Sequence, residues 1–268
     1  MISSDFRTEA RRKLDGKWGK AACMILAYVF VFFVFGLIQS FFPESMQGIL
    51  SLIVNIIELP LGFGLIVSLV KLFYDEEVNA FSFWSIGFKN FVKPWGITWN
   101  IFLKMIIPYI LIIVAYVLII FGIFGMFGSF ATYLTATDNV SSLYYYNSYT
   151  SGFSALLVIG FILLIASAIW AVTKFYYYQL AYVIAAKDLD LSAKDAVLRS
   201  KELMQGKRAK LFFLQLSFIG WAILAVFTFG IGYLWLLPYM QFATIAFYEF
   251  VAGNDITAKV IQDNSEEY

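Results

Sequence analysis

Four stretches of the chain, Ala21 to Phe42, Ile49 to Phe73, Met105 to Phe127 and Phe153 to Thr173, stay apolar for twenty residues or more. A bilayer's hydrocarbon core is about 30 Å thick and is crossed by about 20 helical residues, so each stretch is long enough to span it. A soluble domain of 268 residues does not carry this pattern, because most of its elements need a polar face. The composition agrees: 61% of the residues are hydrophobic, only 14% are charged, and the mean hydropathy is +0.78. A fifth apolar run, Leu211 to Val251, is too long for one span. Midway along it "TFGIG" (Thr228 to Gly232) predicts a tight hairpin whose two glycines take positive φ. The chain therefore reads as an all-α polytopic membrane protein, a single integral membrane domain over 1–268. Its six transmembrane helices are expected at about 21–42, 49–73, 105–127, 153–173, 211–229 and 232–251.

Lysine and arginine collect at the cytoplasmic ends of spans. Of the nineteen, six precede residue 21, four lie from Lys71 to Lys104, eight from Lys174 to Lys210, and Lys259 follows the last span. The alternate loops, Pro43 to Gly48, Gly128 to Gly152 and Gly230 to Gly232, have none. The expectation is a multi-pass plasma-membrane protein with both termini in the cytoplasm. No small-residue cleavage pattern closes the first apolar run, so it reads as an uncleaved anchor rather than a secretory signal. Cys23, the one cysteine, reads as a small apolar filler. A net charge of +1 gives no sign of a nucleic-acid partner.

The cytoplasmic segments carry a pattern of their own. In "LSAKDAVLRSKELMQG", Ser192 and Asp195 have capping-box spacing, Ala193, Ala196, Val197, Ser200, Leu203 and Met204 share one face, and Gly206 can end the helix. This predicts an amphipathic helix at about 192–205, lying at the interface. Lys194, Arg199 and Lys201 on its polar face, with Lys207, Arg208 and Lys210 just after it, suit contact with anionic lipid headgroups. Phe6, Ala10 and Leu14 predict a similar helix at about 4–15, and Phe81, Trp84, Phe88 and Phe91 another at about 81–92. Each is followed by a basic or aromatic turn ("LDGKWGK", "FVKPWGI", "MQGKRAK") and then by a pair of spans. Three copies of one unit, a surface helix and then a helix hairpin, would give this order.

Several of these segments together resemble a known family. "SKELMQGKRAKLFFLQLSFIGW" (Ser200 to Trp221), "TFGIGYLWLLPY" (Thr228 to Tyr239) and "AFYEF" (Ala246 to Phe250) look like the signature run of the bacterial integral membrane family called domain of unknown function 975. "LDGKWGKA" is similar to its N-terminal element and "LPLGFGL" to its second-span element. The chain departs from the family in carrying "IWAVTK" where members tend to have a Pro-Gly pair, which bears on whether the fourth span is kinked, and in the long loop from Gly128 to Gly152. The resemblance implies a six-span protein of the bacterial plasma membrane, mostly in Gram-positive organisms, and brings no activity or catalytic residue with it.

Enzyme chemistry finds little support. The chain has no histidine, which removes imidazole bases, Ser-His dyads and most zinc sites, and no aspartate lies in any predicted span. Phosphate-binding glycine loops and nucleophile elbows are absent from the sequence. Ser167 and Lys174 stand two turns apart, but "IASA" reads better as a small-residue packing face. No cofactor or metal is expected, and lipids are the only partner the sequence points to. A non-enzymatic structural or regulatory membrane component is the first reading, with a carrier or channel-like protein for a small solute or lipid as the alternative. Polar groups within spans separate the two, since a path needs several of them around a shared cavity. The candidate intramembrane site is Glu58 and Asn55, with Lys104 and Lys174 nearer the inner face; Gln39, Gln179, Gln215 and Gln241 complete the polar set. A tyrosine-rich outer loop, "SSLYYYNSYTSG", reads either as an interfacial lid over the bundle or, the preferred reading, as resting among headgroups. Glu58 stands two residues before Pro60 in "IIELPLGFG". Either it braces a helix break at Pro60, bonding a freed carbonyl, or it serves a proton- or ligand-coupled site.

Overall fold

A computed structural model describes residues 3–135 and 140–253, without the side chains of 132, 135 and 140–148. All regular structure among them is helical. α1 (Ser3–Leu14) leads into the pair α2 (Trp18–Ser40) and α3 (Glu44–Phe73). After α4 (Ser82–Lys89) come the long α5 (Val92–Thr135) and α6 (Val140–Tyr178), the latter extended past a turn by α7 (Ala181–Lys187). Then follow α8 (Ala193–Leu203), α9 (Arg208–Leu216), α10 (Ile219–Phe227) and α11 (Tyr233–Val251). Five helical stretches, Trp18–Ser40, Glu44–Phe73, Val92–Ala131, Tyr149–Lys187 and Arg208–Phe227, are long and apolar enough to cross a membrane. The chain is an all-α polytopic membrane protein. α11 has 19 residues but a more polar sequence, and more than half of it is buried against protein, where Tyr239, Thr244, Tyr248 and Glu249 find protein neighbours.

The helices group into two compact units. Phe102–Phe175 forms one. Within it Gly122, Gly125 and Gly160 let the two helices approach closely: an added Cβ would meet Leu157 at Gly122, Phe153 at Gly125 and Ile119 at Gly160. Small residues at such a contact are the usual device in lipid, where no hydrophobic gain separates helix from helix. The remaining faces of this unit expose large apolar side chains, among them Ile113, Val117, Phe124, Ile162 and Ile169, as a lipid-facing surface requires.

The other unit comprises the described residues up to Ile101 and from Tyr176 onward. Its core is aromatic. Phe6 of α1 meets Phe247 and Phe250 of α11 edge-on, with ring centroids 5.3 and 5.4 Å apart, and Phe73 meets Phe242 at 5.4 Å. α4 lies on α3 and α8 on α7, in each case the helix just before it in the chain, whereas α1 lies on α11, the last helix described. A lysine at the start of each pair also reaches the far end of the same pair: Lys17 donates to the Leu72 carbonyl at 3.0 Å, Lys93 to those of Asp188 and Leu189 at 3.2 and 2.7 Å, and Lys207 to that of Val251 at 3.3 Å. α1 and α8 end alike, at Gly16 and Gly206 with φ of +72° and +70°, so that each hands over directly to the next helix.

Several expectations need correction. The aromatic stripe Phe81, Trp84 and Phe88 faces outward, and α4 instead presents Phe83 and Gly87 to α3. Gly64 and Gly87 decide this: a Cβ on Gly64 would strike the Phe83 carbonyl oxygen and come within 2.8 Å of the Gly87 nitrogen, so only this face brings the two backbones together. The outer loop expected over Gly128 to Gly152 is largely helix, since α5 continues to Thr135 and α6 begins at Val140. Those flanks hold no proline, and Gly128 and Gly152 sit in ordinary helical turns. α6 runs unbroken through Ile169–Lys174, and the interruption comes at Gln179–Leu180. The predicted span 211–229 is two helices, because Ser217 turns its hydroxyl onto the Leu214 carbonyl at 2.6 Å and Phe218 closes a tight turn onto Gln215. In the "TFGIG" hairpin Gly230 has φ +85°, but Gly232 is helical. Its role is room: a Cβ there would lie 2.9 Å from Ala225. Finally, α3 continues through Pro60 without a break.

Candidate functional site

α3 begins at Glu44, five residues before the predicted start, so Glu58 lies fourteen residues into the helix, or about 21 Å at 1.5 Å per residue. That is the middle of a helix of 30 residues, one to two turns before the Gly64 contact with α4. Pro60 deprives the Ile56 carbonyl of its helical donor, yet no described side chain takes the vacancy. Glu58 is exposed and has no hydrogen-bond partner among the described residues. It lines a cavity of about 510 Å³ with Asn55, and Tyr28 of α2, Trp95 and Thr98 of α5 and Tyr182 of α7 form its other walls. The Tyr28 hydroxyl lies within electrostatic reach of the carboxylate. No lysine or arginine lines the cavity among the described residues.

The far wall is fixed by its own bonds. Thr98 donates to the Pro94 carbonyl at 2.9 Å, which leaves the Tyr182 hydroxyl to donate to Thr98 Oγ1 at 2.5 Å. Tyr182 and Ile66 also border a second cavity, of about 290 Å³, lined by Gln179, Gln215, Gln241 and Thr244. Tyr176 donates to Gln215 Oε1 at 2.8 Å, while Gln179 Oε1 is buried without a partner among the described residues. Three of the four glutamines noted in the sequence thus meet around one space. The fourth, Gln39, donates to the Gln47 carbonyl at 3.0 Å in the α2–α3 turn.

Lys104 and Lys174 lie in the other unit, on α5 and α6, where Lys174 holds its ammonium 5.7 Å above the Trp170 ring. Ser167 is buried and donates to the Leu164 carbonyl of its own helix at 3.1 Å. The six basic residues named for lipid contact divide. Lys194, Arg199, Lys201 and Lys210 are exposed, although Lys210 also lies 5.3 Å over Phe250; Lys207 and Arg208 are half-buried, Lys207 at the Val251 carbonyl and Arg208 4.1 Å over Tyr177. α8 itself follows its sequence: the Ser192 hydroxyl accepts from the Asp195 amide at 3.1 Å and donates to the Asp195 carboxylate at 2.6 Å. Ala196, Val197, Ser200 and Met204 are buried, and Ser200 donates to the Tyr177 carbonyl.

A polar cluster that the sequence reading missed lies at the ends of α3, α7 and α11. Glu249, 7% exposed, accepts from Lys187 Nζ at 2.6 Å and from the Tyr74 hydroxyl. Lys187 stands between the rings of Tyr74 and Tyr248, at 4.9 and 5.2 Å. Burial first, then the bond to Glu249, raises the Tyr74 hydroxyl above the ordinary tyrosine range, so it stays protonated and donates. Its sequence signal was a lone glutamate in "AFYEF", 62 residues from its lysine. Among the described residues no group of three His, Cys, Asp or Glu side chains is placed to hold a metal ion.

The model of a family described as protein of unknown function (DUF975) matches residues 1–255. The chain belongs to that family. No curated protein and no solved structure matches it. The DUF975 match runs through α1 to α11, so both cavities and the Glu249 cluster lie within the family's own extent.

Proposed function

We propose that this DUF975 protein is a non-enzymatic carrier of the bacterial plasma membrane that takes a small solute or lipid into the Glu58 cavity. The carrying observation is an exposed carboxylate, without a partner among the described residues, lining a cavity within the depth of the bilayer. A charged group at a span's centre costs about 2.5–3.5 kcal/mol on insertion scales, and such groups concentrate where ligands or ions pass. A purely structural component has no use for that charge, which moves the reading from scaffold to carrier. Six spans with both termini cytoplasmic suit the distribution of lysine and arginine. The like placement of α1 on α11, α4 on α3 and α8 on α7 and the three hairpin-closing lysines support an origin from three copies of one unit. Lys194, Arg199, Lys201 and Lys210 face anionic lipid at the inner surface.

The test is reconstitution into liposomes, measuring translocation of fluorescent lipid analogues and leakage of small amines and amino acids. Translocation above empty liposomes that is lost in Glu58→Gln supports the carrier; no translocation of any probe returns the reading to a structural component. The topology is checked with single cysteines in a Cys23→Ala background. Those at Ser142 and Ser148, whose side chains lie outside the described residues, should label from outside intact cells, and one at Ser192 should not.

A further inference from the structure

We infer that the Glu58 cavity recognises a cationic nitrogen, the ammonium group of an amphiphile whose chain lies in the bilayer. The inference rests on the carrier reading and names its ligand class. Three features converge on it. First, the cavity holds one acidic side chain and no basic one among its described lining residues, so the countercharge has to come from what enters. Second, Tyr28, Trp95 and Tyr182 supply three aromatic side chains around that carboxylate. Aromatic faces attract ammonium groups, most strongly where water is scarce. Third, Glu58 stands at the middle of α3, and Leu59, Phe63 and Ile66 of the same helix line the cavity beside it with apolar side chains. An amphiphile can leave its chain against that surface while its head reaches the carboxylate.

The alternatives fit less well. A bare inorganic cation needs about six oxygen ligands drawn closely around it, whereas the oxygens here, of Glu58, Asn55, Tyr28, Thr98 and Tyr182, are spread over four helices around the cavity. A volume of about 510 Å³ is also far larger than an ion requires and falls in the range of small-molecule sites. An anionic or zwitterionic head would place a negative charge beside Glu58. The glutamine cavity beyond Tyr182 carries no charge and suits the uncharged polar part of the same ligand.

The experiment uses the full chain purified in a neutral maltoside detergent and follows fluorescence polarisation of rhodamine 6G, a free lipophilic cation. Saturable binding is expected, displaced by dodecyltrimethylammonium and not by dodecanol. Glu58→Gln, an isosteric change at an exposed position, should weaken it at least tenfold. Trp95→Leu should weaken the cation several-fold while the variant elutes as a single peak. Added dioleoyl trimethylammonium propane, a two-chain lipid whose head is an ammonium with no anionic group, tells the source: displacement of the probe assigns the site to a lipid-borne ammonium, and its failure, with free cations still displacing, to a soluble amine. Equal displacement by dodecanol, or unchanged affinity in Glu58→Gln, overturns the ammonium assignment while the cavity remains a carrier site. Binding of neither cation nor alcohol overturns both.

Discussion

Removing Lys187 leaves Glu249 as a buried carboxylate with the Tyr74 hydroxyl as its remaining donor. Breaking a buried pair from one side costs about 3–5 kcal/mol, because the orphaned charge stays desolvated. Two features lower that here: Lys187 is 30% exposed, and Tyr74 keeps donating. Lys187→Met should therefore destabilise by about 2–3 kcal/mol. Glu249→Gln is milder, about 1 kcal/mol, since the half-exposed ammonium can hydrate and the carboxamide still accepts from Tyr74. The double variant Lys187→Met/Glu249→Gln removes both charges while the carboxamide still accepts from Tyr74, and should recover to within about 1 kcal/mol of the parent, because no buried charge is left unpaired. Unfolding of the detergent-solubilised protein by increasing SDS, followed by tryptophan fluorescence, gives the four free energies of the cycle. The reasoning fails if Lys187→Met is no worse than Glu249→Gln, or if the double variant is destabilised by the sum of the singles.

Three further changes test the packing. Gly64→Ala pushes α4 off α3 and releases part of the burial of Phe83, so a loss of about 2–4 kcal/mol is expected in the same assay, with Gly48→Ala as the tolerated control. Gly230→Val should sharply lower the yield of folded protein, because a β-branched residue fits φ +85° badly, whereas Gly152→Val, in an open helical turn, should be mild; equal yields would argue against the strained hairpin. Asp75 is held below the ordinary aspartate range by its hydrogen bond and charge attraction to Lys17, 2.5 Å away, with Lys13 adding to it. A depressed carboxyl stabilises above its unfolded value, about 4, and that contribution is lost as pH falls through the folded value. The parent should thus lose its advantage over Asp75→Asn on acidification below pH ~4, and a difference independent of pH would remove Asp75 from the account.

The sequence by itself determined the class and the surface helices. Apolar runs of twenty residues have few alternatives to crossing a bilayer, and a stripe such as Phe6, Ala10 and Leu14 or a cap such as Ser192 with Asp195 works within a few residues, so α1 and α8 came out where local chemistry put them. The sequence also marked Glu58 and Asn55 as polar groups in need of an explanation. Only the tertiary structure decided what surrounds them: Tyr28, Trp95 and Tyr182 come from three other helices, up to 124 residues from Glu58 in the chain, and no periodicity encodes that meeting. The outward turn of the α4 aromatics was hidden for the same reason. An apolar residue satisfies lipid as well as protein, so in a membrane the amphipathic pattern names no inner face, and the choice passes to the backbone contact between Gly64 and Gly87. The pairing of Lys187 with Glu249 was equally out of reach, since a charge pattern becomes a bond only when α7 and α11 are brought side by side.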